Sequence, residues 1–70
     1  HMVVTLEYYK KAVETTTNDA LKPIYLLKAG QTALFLKDKK TALELFTKIS
    51  EEYKDTNEGR DIDAYLGLAQ

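Results

Sequence analysis

The chain has no cysteine and no tryptophan, and only one proline and three glycines in 70 residues. Its one histidine and one methionine, His1 and Met2, read together as the remnant of an expression tag, so the native part begins at Val3 and holds neither. Each absence excludes something. Without thiolates or imidazoles there is no ligand set for zinc, haem or an iron–sulfur cluster. Without them no Cys–His or Ser–His pair can form, so the composition points away from an enzyme and from any cofactor. The lack of cysteine leaves the redox compartment open. Charge of one sign is also missing: ten basic against eleven acidic residues give a net of −1, which offers nucleic acid no electrostatic footprint. No apolar run approaches the ~20 residues of a membrane span, so no membrane insertion by this segment is expected.

What is present is a globular composition, 44% apolar and 30% charged. Seventy residues allow one domain, residues 3–70, whose core supplies only ~3–5 kcal/mol net. With neither disulfide nor metal, that small margin calls for closely packed helices, self-association, or a larger protein around the segment. Helix formers dominate and β-branched residues do not alternate. Residues 3–15 place Leu6, Tyr9 and Val13 on one helical face, with Glu7 and Lys11 spaced as an i,i+4 pair. Three threonines followed by Asn18 and Asp19 end that helix, and either Asn18 or Asp19 is expected to cap the next. The second helix starts near Pro23 and runs to about Leu36. Its inner stripe is Leu26, Ala29, Gly30, Ala33 and then Leu36 or Lys37. A second line, Ile24, Leu27 and Leu34 with Gln31 among them, makes it apolar on more than one side, as a sandwiched or partnered helix would be.

A short turn at residues 37–39 dictates an antiparallel pair, with Asp38 as cap of a third helix over residues 39–53. There Ala42, Leu45, Phe46, Ile49 and Tyr53 give the clearest amphipathic stripe in the chain. A polar loop over residues 54–59 precedes a fourth helix from about Arg60, with Ile62, Leu66 and Ala69 on one side and Tyr65 beside them. Sliding the chain along itself by 37 positions aligns Leu6 with Leu43, Glu7 with Glu44, Tyr9 with Phe46, Lys11 with Lys48, Glu14 with Glu51 and Gly30 with Gly67. The repeating unit is a helix, a polar turn and the next helix.

The polar clusters read as surface. Glu51 and Glu52 point apart on a helix, and Glu58, Asp61 and Asp63 lack the spacing of a calcium loop. The basic turn at residues 37–40 reads as solubilising. Gly30 and Gly67 lie in no strand-to-helix phosphate loop and read as packing glycines. Among five tyrosines, Tyr9 and Tyr53 fall on core or seam positions, and Tyr8, Tyr25 and Tyr65 are candidates for a surface. Phe35 is either satellite core or an exposed anchor.

Leu26, Gly30, Ala42, Phe46 and Ile49 together resemble the signature of a tetratricopeptide repeat, in which a small residue sits where two helices cross and a small residue and an aromatic follow in the second helix. One complete repeat spans residues 22–56, flanked by partial ones. Residues 50–56, Ser-Glu-Glu-Tyr-Lys-Asp-Thr, resemble the helix end common in bacterial envelope members, and residues 21–66 resemble the C-terminal part of membrane-anchored repeat proteins of Bacteroides-like bacteria. There are departures. Ala33 replaces the usual Tyr, Lys37 stands where a turn Gly is common, Lys54 replaces the usual Pro, and the period of 37 exceeds the common ~34.

The resemblance implies an all-α fold of about four helices, antiparallel pairs stacked as a right-handed superhelix. It implies a scaffold that binds a peptide or helix of a partner protein, placed outside the cytoplasm by an anchor that precedes this segment. The first helix of each pair would line the concave side, which puts Ile24, Leu27, Gln31 and Leu34 there with Phe35 at the edge. The alternative is a structural capping or dimerisation module with no separate ligand. Open apolar faces on so short a chain lead us to expect a symmetric dimer of the segment.

Overall fold

The computed structural model describes residues 2–70, and the side chains from residue 3 onward. Five helices, and no strand among the described residues, follow in the order α1 Met2–Thr15, α2 Lys22–Phe35, α3 Lys39–Glu52, α4 Asn57–Arg60 and α5 Ile62–Ala69. They pack in chain sequence, α1 on α2, α2 on α3, and α3 on α5. The result is a slab of 28 × 27 × 14 Å with a radius of gyration of 11.0 Å, close to the ~11 Å of a compact chain of this length. A slab 14 Å thick leaves no helix covered all round.

Local chemistry explains each boundary. At the end of α1 the Thr15 hydroxyl donates back to the Lys11 carbonyl at 2.9 Å, a bond that competes with continued helix. The Asn18 N–H donates to the Thr16 hydroxyl oxygen at 3.2 Å, and the Asn18 carboxamide oxygen accepts from the Ala20 N–H at 3.0 Å. This is where the cap expected for α2 goes. Asn18 is engaged inside the turn, Asp19 pairs with Lys22 at 3.3 Å, and the N-cap position falls on Leu21, which makes no side-chain cap bond. Leu21 is already near helical geometry at φ −84° and ψ −22°, so the chain enters α2 with no extended residue from which a side chain could reach back. Pro23 sits in the first turn, where its missing N–H costs nothing.

The α2 C-terminus closes through two bonds, Asp38 N–H to the Ala33 carbonyl and Lys37 N–H to the Leu34 carbonyl, each 2.9 Å. This is the paired C-terminal closure that needs a left-handed residue, and Lys37 supplies it at φ 63°, in the place where a glycine is usual. Asp38 then caps α3 as expected: its carboxylate accepts from the Thr41 N–H at 3.2 Å and from the Thr41 hydroxyl at 2.8 Å. The hydroxyl bond foremost, and the amide bond after it, hold the Asp38 carboxyl below its ordinary range.

The loop expected over residues 54–59 is partly helical. Thr56 ties it together, donating to the Tyr53 carbonyl at 2.7 Å and accepting from the Gly59 N–H at 3.1 Å, which nucleates the single turn α4. Gly59 faces the backbone of Tyr53 and Lys54, and a Cβ there would lie 2.6 Å from the Lys54 Cα. That helical turn is why five helices are seen where about four were read from periodicity.

The core runs through the middle of the slab. Leu26, Ala29 and Ala33 of α2 meet Ala42, Phe46 and Ile49 of α3, with Leu6 of α1 at one end and Ile62 and Ala69 of α5 at the other. Gly30 has a role at this crossing: the nearest atoms to its absent Cβ belong to the Phe46 ring, with Cδ1 and Cζ at 2.8 Å. The ring, rather than Ala42, is what the missing side chain admits. Gly67 differs from expectation. Nothing lies within 4 Å of where its Cβ would be, because α5 turns Ile62, Leu66 and Ala69 toward the core and leaves Gly67 outside.

Candidate functional site

The α2 stripe read as a binding face splits into two kinds of residue. Leu27 and Leu34 are half-buried and pack against the core. Ile24 is half-buried near the start of the helix, while Gln31 and Phe35 are exposed. Phe35 is 76% exposed, which places it on the surface rather than in a satellite core. Gln31 and Phe35 line a shallow groove of about 260 Å³ with Thr5 and Tyr9 of α1 and with Lys28 and Thr32 of α2. Thr32 forms part of the floor; it is buried and its hydroxyl donates to the Lys28 carbonyl at 2.8 Å.

Gln31 also reaches the other way. Its side-chain amide donates to the Tyr65 hydroxyl of α5 at 3.1 Å. Tyr65 in turn lies against Phe46, ring centroids 5.4 Å apart. Tyr65, one of the candidates for a surface, is half-buried and bridges the core to the stripe. Gln31 becomes the residue that joins α2 and α5 at this face, with Phe35 beside it.

A second concavity was not singled out in the sequence. Val4, Glu7, Tyr8, Lys11 and Ala12 of α1, with Tyr25 of α2, line a groove of about 600 Å³. Val4 and Tyr8 are 67% and 65% exposed. Tyr8 meets Tyr9 edge-on at 5.6 Å, and Tyr9 stacks on Tyr25 at 6.4 Å, an aromatic ladder that pins α1 to α2. The signal was available in the spacing: Val4, Tyr8 and Ala12 recur every four residues, beside the Leu6, Tyr9 and Val13 stripe that faces the core. A third concavity on α3 is polar by comparison, lined by Leu43, Glu44, Thr47, Lys48, Glu51 and Glu52.

Among the described residues no group of three or more His, Cys, Asp or Glu side chains is placed to hold a metal ion. No described helix is long and apolar enough to cross a membrane. The comparisons with protein-family models, with curated proteins and with solved structures found no match.

Proposed function

We propose that the chain is a non-catalytic protein-interaction module of the tetratricopeptide-like kind, which holds a peptide or helix of a partner protein along the α2 stripe. Ile24, Leu27 and Leu34 are the half-buried apolar positions of that stripe, and Gln31 and Phe35, which also line the groove against α1, are its exposed contacts. The observation that carries this reading is Phe35. A phenylalanine left 76% exposed at a groove edge beside a polar side chain is the kind of aromatic anchor that interfaces enrich. The helix crossing at Gly30 and Phe46, with Ala42 buried on the same helix as the ring, supports the repeat reading as well.

Phe35→Asp tests it cleanly, whereas Leu27→Asp and Leu34→Asp would strike the core on which those side chains pack. The variant should keep the parent's circular dichroism and melting temperature and lose a partner that co-purifies with the intact protein. Undiminished partner binding by folded Phe35→Asp would sink the proposal. A second reading, a capping or dimerisation module without a separate ligand, is favoured by one observation, the exposed Val4 and Tyr8 on α1.

A further inference from the structure

We infer that the α1 groove is the seat of a second copy of this chain, whose own α1 lies in it antiparallel about a two-fold axis. A two-fold interface needs a patch that complements itself, and the residues along α1 meet that condition. Val4, Tyr8 and Ala12 form an outward apolar line, and Glu7 and Lys11 lie one helical turn apart along it. Within one chain those two charges stay apart; the one ion pair among the described residues is Lys22 with Asp19. In an antiparallel pair with its axis midway between residues 7 and 11, Glu7 of each copy stands level with Lys11 of the other. The same axis brings the two Tyr8 rings within about 3 Å of one level, and sets Val4 of each copy beside the small Ala12 of its mate.

The alternative grooves do not complement themselves in this way. The α3 groove sets Glu44, Glu51 and Glu52 against a single Lys48, so two copies meeting there would oppose like charges. The groove beneath Phe35 is under half the size of the α1 groove and carries one cation, Lys28, with no acid. Of these three grooves, the one on α1 combines large exposed apolar side chains with balanced charges. This surface is separate from Ile24, Leu27, Gln31, Leu34 and Phe35, so failure here would leave the proposed partner-binding face standing.

Sedimentation equilibrium of the full chain, run up to high micromolar concentration, is the test. The parent should form a dimer and no larger species, and salt should weaken it. Lys11→Glu places Glu7 level with a glutamate at both symmetric contacts, and should weaken dimerisation by about tenfold; Glu7→Lys should do the same with lysines. Mixing the two variants in equal amounts restores opposite charges at both contacts and should return the dimer. Both side chains are exposed, so the circular dichroism of each variant should remain that of the parent. Tyr8→Ser, which removes the apolar centre without touching the charges, should also yield monomer. A parent that stays monomeric would overturn the inference. So would a dimer indifferent to Lys11→Glu and Glu7→Lys, or oligomers that keep growing with concentration as a head-to-tail contact requires.

Discussion

Adding one carbon at Gly30 tests the centre of the fold. In a helix interior Gly→Ala stabilises by about 1 kcal/mol when space permits. At Gly30 space does not permit it: the new Cβ would fall inside contact distance of the Phe46 Cε1, with Cδ1 and Cζ at 2.8 Å. Carbon atoms settle at about 3.5–4.0 Å, so the ring must retreat by roughly 1 Å. Phe46 is fully buried and has Tyr65 against it, so retreat means parting α2 from α3 or displacing α5. Overpacking of that kind costs ~1–3 kcal/mol. The net for Gly30→Ala is then a loss of about 1 kcal/mol, and for Gly30→Leu more than ~2 kcal/mol. In a domain this small, each ~1 kcal/mol lowers Tm by about 4–8 °C. Urea and thermal unfolding followed by circular dichroism would read it. Gly67→Ala is the control within the same chain, since nothing lies within 4 Å of its Cβ position, and it should raise stability by up to ~1 kcal/mol. Phe46→Leu combined with Gly30→Ala should cost less than the sum of the two alone, as the smaller side chain makes room. If Gly30→Ala stabilises as much as Gly67→Ala does, the ring is not where the argument needs it.

Lys37→Gly should stabilise the chain by ~0.5–1 kcal/mol in urea unfolding, because it relieves a left-handed residue at φ 63° while keeping the paired closure of α2. Asp38→Ala removes the cap of α3 and should lower stability at neutral pH. The Asp38 carboxyl is held below its ordinary range in the folded state, so its stabilisation is present above the unfolded value and is lost as pH falls through the folded one. Parent and Asp38→Ala melting temperatures should therefore converge in acid, and a gap that stays constant with pH would contradict the capping account. Gly59→Ala should destabilise by at least ~1 kcal/mol despite lying outside the core, since its Cβ would meet the backbone of Tyr53 and Lys54, which cannot rotate away; thermal melting measures it.

Much of the fold was legible along the chain, for local reasons. Helical periodicity identified Leu26, Ala29, Gly30 and Ala33, and likewise Ala42, Phe46 and Ile49, as inward faces, and burial in the structure agrees. Asp38 three residues before Thr41 is a cap whose geometry is set within one turn. Local chemistry misled where two local options competed. Asn18 can cap a helix or close a turn on itself, and the approach of the chain to α2 decided for the turn. Thr56 could sit in a loop or start a helix, and its bonds to Tyr53 and Gly59 decided for the helix.

The proposed binding face was legible only as a line of residues. Periodicity places Ile24, Leu27, Gln31 and Leu34 on one side of α2, but cannot say which neighbour covers them. Only the packing of helices distant in sequence makes Leu27 and Leu34 lean on the core, gives Gln31 a bond to Tyr65 across 34 positions, and leaves Phe35 bare. The two glycines at the 37-residue offset make the same point. Gly30 and Gly67 are equivalent in the sequence, yet one holds an aromatic ring and the other faces open space. Helix, turn and inward stripe follow from interactions within a few residues, which the sequence by itself carries. What meets a glycine or leaves a phenylalanine exposed depends on which helices lie side by side, and that was decided by the tertiary structure alone.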